Sequence, residues 1–208
     1  LTFGNFSWSW AFAAIALLLI QFPLAHSLLL TRPGRSILAK LGPKPYGQTL
    51  ATTTYSLIAS IQLLALFTLW TPSELVVWQA EGGIMWIMTA LFVLSWLLLA
   101  KASFAAGPEL QSGALGWIAL IRNRAPKFPD MPERGLFRLI RQPIYASFAL
   151  TLWTMPTWTV DQVAIAIPLT LYCIIAPRLK ERRFNAIYGD RFAEYTAGTP
   201  YMIPGAKR

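Results

Sequence analysis

Two short stretches of this chain combine residue types that could hold and orient a small charged ligand. The first is Arg141-Gln142-Pro143-Ile144-Tyr145. Proline suits the first turn of a helix, where a missing N–H costs nothing, so a helix start is expected at Pro143. The free amides and positive dipole end of such a helix attract anionic groups. The same residues also suit a plain membrane boundary, with arginine at the headgroups and tyrosine in the interfacial belt. The second stretch is Glu181, Phe184, Tyr188, Phe192 and Tyr195, spaced by three, four, four and three. A continuous helix would place them on one face, a single carboxylate above a column of aromatic rings. A carboxylate with aromatic faces draws a cationic ligand through Coulomb and cation–π attraction. Gly189-Asp190 is a break signal in that helix. The alternative for the tail is an amphipathic segment lying on the bilayer, with Glu181 paired to Arg178 or another neighbouring base.

Other candidates carry less. His26, the single histidine, falls inside an apolar run and is followed by Ser27. A polar residue within a membrane span is a functional candidate, and a histidine bonded to a neighbouring helix fits the same position. With one histidine and one cysteine (Cys173), zinc, di-iron and bis-histidine haem sites have no ligand set. Neither a P-loop, a GxGxxG turn nor a Ser-His-Asp set can be assembled. The metal assignment is therefore none.

The elements that must position these residues follow from composition. Of 208 residues, 55% are hydrophobic and only 13% are charged, about half the usual charged fraction. Mean hydropathy is +0.48. Too little polar surface is available to cover a soluble core of this size. Apolar stretches run over 8–30, 51–70 and 83–100, each close to the ~20 residues that cross ~30 Å of hydrocarbon as a helix. Two shorter ones, 143–158 and 160–176, are separated by the turn signal Pro156-Thr-Trp-Thr and read as a helical hairpin. Runs such as Ala16–Ile20 lack the alternation that a barrel needs. The first stretch has no basic n-region and no Ala-x-Ala-like site, so it reads as a true span. The expected fold is all-α: a polytopic transmembrane helical bundle of about five spans with a polar C-terminal region. The organisation expected is three N-terminal spans (1–100), a cytoplasmic or interfacial loop (101–142), then the hairpin and tail (143–208). Within the loop, Leu115–Ile121 is apolar enough to lie at the membrane interface.

The net charge of +9 is explained by the same layout. All eighteen lysines and arginines fall in 31–48, 101–142 and the tail from 178 through Lys207 and Arg208, while the intervening loops carry only Glu74, Glu81 and Asp161. The positive-inside rule then sets the N-terminus outside and the C-terminus in the cytoplasm. The basic excess thereby loses its force as a nucleic-acid signal, and no nucleic-acid partner is expected.

Taken together, Arg141-Gln-Pro-Ile-Tyr145, then Glu181-x-x-Phe184-x-x-x-Tyr188-Gly189-x-x-Phe192-x-x-Tyr195, closing on Pro200 and Ile203-Pro204, resemble the C-terminal half of the isoprenylcysteine carboxyl methyltransferase superfamily. The resemblance covers about residues 135–204. His26-Ser27 and Thr54-Tyr55-Ser56 are similar to the nurim, NnrU and methanethiol S-methyltransferase branch. The resemblance implies an integral membrane enzyme of the bacterial inner membrane that uses S-adenosylmethionine without a Rossmann fold. It implies that Arg141, Gln142, Pro143 and Tyr145 border the cofactor from one side and Glu181, Arg182 and Tyr195 from the other. The methyl acceptor would be a small thiol or a lipophilic molecule arriving from the bilayer. Three positions depart from the family pattern. Gln142 stands for a histidine, which removes any titrating role there; Lys180 stands for a glutamate; Phe192 stands for a tyrosine. Similar signatures belong to NADPH-dependent sterol reductases and to haem-holding isomerases of the NnrU branch, for which His26 would be the ligand. Nurim itself is regarded as a non-enzymatic membrane protein.

Overall fold

The computed structural model of the chain describes residues 3–4 and 8–206. Lys207 and Arg208, counted above with the basic tail, lie outside the described residues, as does the side chain of Trp8. The chain falls into two compact units, one formed by residues up to Pro72 with Gly107–Pro129, the other by Ser73–Ala106 with Asp130–Arg208.

In the first unit, α1 (Trp8–Leu29) is followed after a two-residue break by α2 (Arg32–Leu41), the pair bent by 97°. The sequence dictates this corner. The hydroxyl of Thr31 accepts the N–H of Gly34 as an N-cap, with proline in the first turn. Gly34 sits so close to the end of α1 that a Cβ would lie 2.3 Å from the Leu28 carbonyl oxygen. Helix α3 (Ala51–Leu69) packs on α1 through a reciprocal pair of amides. Gln21 Nε2 donates to the Gln62 carbonyl at 3.1 Å and Gln62 Nε2 to the Gln21 carbonyl at 3.0 Å. Such bonds hold helices together where lipid supplies no hydrophobic drive. The short α5 (Pro108–Gln111) leads into α6 (Ala114–Ile121), which buries Leu115, Gly116 and Ala119 and packs on α3. The expected interfacial segment 115–121 is thus a helix.

In the second unit, α4 (Gly82–Ala105) packs against α7 (Pro143–Trp153), and α7 against α8 (Val160–Tyr188). Of the 24 residues of α4 only Ser95 and Ala102 are buried, so the helix is apolar on its outside as well, as lipid requires. Ser95, Ser147, Thr151 and Thr154 are buried while Ile84, Trp86 and Leu97 are exposed. A 3-10 turn (Gly135–Arg138) precedes α7, and α9 (Asp190–Gly198) follows α8.

The all-α class holds, with one addition. Strands β1 (Val76–Gln79) and β2 (Thr157–Thr159) form an antiparallel ribbon that sets Trp78 opposite Trp158. That ribbon also alters the span count. Among the described residues, helices α3, α4 and α8 are long and apolar enough to cross a membrane, and 13–29 with 32–41 add a fourth as a bent pair. Helix α7 has 11 residues, about 16 Å at 1.5 Å per residue, half the hydrocarbon thickness. Five expected spans are therefore not matched by five helices of spanning length among the described residues. The stretch 143–158 leaves the helix at Thr154, because residues 157–159 pair with β1 instead.

Candidate functional site

The N-terminus of α7 and the tail meet through the backbone first. Pro143 is buried in the first turn, as its lack of an N–H allows, and Gln142 is the N-cap residue. The N–H groups of Arg141 and Gln142, which the helix cannot use, donate to the carbonyls of Pro200 and Tyr201 at 2.9 and 3.1 Å. This anchors the chain beyond α9 against the start of α7.

The side chains then converge on Glu181 of α8. Arg141 Nε donates to Glu181 Oε1 at 2.9 Å, and Gln142 Nε2 donates to the same oxygen at 2.7 Å. Arg141 Nη1 reaches the carbonyls of Thr196 and Thr199 at 3.1 and 3.3 Å, and the guanidinium lies 5.5 Å from the centre of the Tyr201 ring. Those carbonyls belong to the C-terminal end of α9, where acceptors are left over and the dipole is negative. One arginine therefore neutralises a carboxylate and caps a helix. Gln142 is 1% exposed, and its Oε1 is buried with no partner among the described residues.

Around this centre lies an aromatic shell. Phe184 meets Tyr188 and Phe192 edge-on with centroids 5.5 and 5.9 Å apart, and Phe192 lies 6.3 Å from Tyr195. The Tyr195 hydroxyl donates to the Phe137 carbonyl at 2.7 Å. Burial raises its pKa, so it stays the protonated donor that this bond requires. Lys180 Nζ stands 5.8 Å from the Tyr145 ring centre and 5.4 Å from that of Phe184. On the outside, Arg191 bridges Asp130 at 2.8 Å and Glu133 at 2.9 Å. The space left between Pro132, Phe137, Arg141, Gln142, Lys180 and the rings is about 10 Å3, room for one water. The site is built but closed.

Of the residues singled out from sequence, Arg141, Gln142, Glu181 and Tyr195 come together here. Pro143 is buried at the base of α7, and Tyr145 faces Lys180. Arg182 is exposed and does not line the space. The aromatic face forms despite the break: α8 ends at Tyr188, Gly189 takes φ +52, and α9 folds back so that Phe192 and Tyr195 rejoin Phe184. Lys180, marked in the sequence only as a departure from the family pattern, proves to line the space, and sequence reasoning missed the Phe137 carbonyl and the Arg191 bridge. Neither of the last two had a local signal, because their partners lie 58 or more residues away in sequence. In the other unit, His26 lies between the rings of Phe22 and Tyr55, each centroid 5.0 Å away. No group of three metal-ligating side chains occurs among the described residues.

Known proteins resemble the chain over most of its length. The methanethiol S-methyltransferase of Pseudomonas deceptionensis is 27% identical over 203 residues, which is 97% of this chain and 76% of that protein. The protein of the same name from Mycobacterium tuberculosis is 27% identical over 165 residues, covering 75% of this chain and 64% of its own length. A Drosophila melanogaster protein named Nurim homolog is 26% identical over 167 residues, covering 77% and 64%. No family model matches the chain, and no solved structure matches it. The similarity is to the nurim and methanethiol S-methyltransferase branch of the superfamily, and it extends well beyond residues 135–204.

Proposed function

We propose that the chain is an integral membrane methyltransferase that uses S-adenosylmethionine and acts on a small thiol or a lipophilic acceptor at the cytoplasmic face. The observation that carries this reading is the cluster of Arg141, Gln142 and Glu181 beneath an aromatic shell. The names of the relatives favour a thiol over the other acceptors.

The residues present fit the proposed cofactor chemically. Arg141 and Lys180 are cations suited to a carboxylate, and the unpartnered Oε1 of Gln142 is an acceptor for an ammonium or a ribose hydroxyl. The rings of Phe184, Phe192 and Tyr195 offer faces to a sulfonium or an adenine. Pro143 fixes the start of α7 and Tyr145 sets its ring against Lys180, whereas Arg182, exposed and outside the lining, is given no part in holding the cofactor. Glu181 acts mainly through its neighbours, because its Oε1 is already shared by Arg141 and Gln142. Such a cofactor supplies an electrophilic methyl group on a positively charged sulfur. Alignment of the acceptor and exclusion of water are then what the chain must provide, since charge is neutralised as a thiolate attacks. The 10 Å3 space is too small for a nucleoside-sized molecule, so this reading needs the lining to open, and α9, which carries Phe192 and Tyr195, is the element proposed to move.

Titration calorimetry on the purified full chain tests this. Binding of S-adenosylmethionine and of its demethylated product is expected, at least tenfold weaker in Glu181→Ala. Absence of binding to the wild-type protein overturns the reading and leaves the nurim-like alternative of a membrane protein without a cofactor, which the closed site also accommodates. Methanethiol as acceptor would release dimethyl sulfide, which headspace chromatography detects. A C-terminal reporter active only outside the cytoplasm would refute the orientation.

A further inference from the structure

A cavity of about 220 Å3 lies in the first unit at the C-terminal end of α6. Its polar lining consists of Arg122, Arg124 and Lys127 with Glu109, and Leu115 and Ile118 give it an apolar wall. None of the four charged groups has an ion-pair partner among the described residues. The helix end does not compete for them. The carbonyls of Ile118, Leu120 and Ala119 already accept the N–H groups of Arg122, Asn123 and Arg124 at 3.0–3.1 Å. Beside the cavity, Trp117 is 52% exposed, Ile121 81% and Phe128 60%. Cations and large exposed apolar side chains on one short segment are the composition of the lipid–water boundary.

We propose that this cavity binds the headgroup of an anionic phospholipid. The two guanidiniums and the ammonium suit a phosphate, arginine by paired hydrogen bonds and lysine as a point charge. The apolar wall and the exposed Trp117 and Ile121 suit the start of the acyl chains, which a free phosphate lacks. Basic pockets at helix ends near the membrane surface recognise anionic headgroups in this way. The site does not depend on the methyltransferase reading, since it shares no residue with the cluster around Glu181.

The test uses the full chain in detergent, with phosphatidylglycerol, phosphatidylcholine or inorganic phosphate added, and native mass spectrometry and thermal unfolding as readouts. Retention of phosphatidylglycerol at least tenfold above phosphatidylcholine is expected. In the triple variant Arg122→Gln, Arg124→Gln, Lys127→Gln that preference should disappear, three basic charges being removed near an anionic group. Glu109→Gln, which removes the one acid of the lining, should tighten phosphatidylglycerol severalfold. Equal retention of the two lipids, an unchanged preference in the triple variant, or no gain in Glu109→Gln overturns the proposal. Inorganic phosphate that raises the unfolding temperature as much as phosphatidylglycerol assigns the cavity to a soluble anion and overturns the lipid assignment.

Discussion

Arg141 donates to Glu181 at 2.9 Å across forty positions of sequence, and the other arm of its guanidinium holds the carbonyls at the end of α9. The pair is nearly buried, with 17% of each side chain exposed. A start of helix, an end of helix and a returning tail are thereby fixed by one side chain. Gln142 adds a second donor to the same carboxylate oxygen, so the group keeps a partner even when one donor is removed.

Arg141→Ala leaves Glu181 with one donor and two α9 carbonyls without theirs. A loss of about 2–3 kcal/mol in unfolding free energy is expected, toward the lower end of what breaking a buried pair costs. Arg141→Lys should recover less than half, because a lysine cannot serve the carboxylate and the carbonyls together. Chemical denaturation in detergent measures both. Wild-type stability in Arg141→Ala would contradict this account.

Gly189 separates α8 from α9 at φ +52 and ψ −124, a region that only glycine visits without strain. No atom stands where its Cβ would be, so the cost of Gly189→Ala is conformational. An expected loss of about 1–3 kcal/mol should be local. Hydrogen exchange is predicted to speed up in 190–198 and to stay unchanged in the first turns of α8. Uniform acceleration through both helices would mean that the break is not a separate hinge.

The bridge from Arg191 to Asp130 and Glu133 gives α9 a dependence on pH and salt. The hydrogen bond from Arg191, and then that from the Met131 N–H, hold the Asp130 carboxyl below the ordinary aspartate range. A depressed carboxylate contributes fully above its unfolded-state pKa, near 4, and loses that contribution as pH falls through the folded value. Protection of 190–198 should thus be flat from pH 5 to 8 and drop below about pH 4. Both partners are well exposed, so salt should weaken the bridge as well. Asp130→Asn should remove most of the acid response, and Arg191→Gln should speed S-adenosylmethionine association severalfold in stopped-flow mixing. An acid response unchanged in Asp130→Asn would assign it to other carboxylates.

Local chemistry was legible before any fold was known. The apolar stretches announced membrane helices, Pro143 announced the start of α7, and Gly189 announced the break after Tyr188, because each effect acts within a few residues of its cause. The positions of Arg141, Gln142, Glu181 and Tyr195 could be named for the same reason, as helix-end and helix-face residues. What these residues do to one another was decided by tertiary structure. Glu181 read either as a carboxylate for a cationic ligand or as the partner of Arg178 or another nearby base, yet its Oε1 is shared by Arg141 and Gln142, about forty residues away. The segment 143–158 looked like a span, yet it stops at Thr154 because β2 pairs with a strand some eighty residues earlier. Closure of the site depends on α9 turning back at Gly189, so that Phe192 and Tyr195 reach Phe184 and Phe137. Periodicity and capping are short-range and are written in the sequence, whereas pairing of charges and folding back of helices depend on residues that only the folded chain makes neighbours.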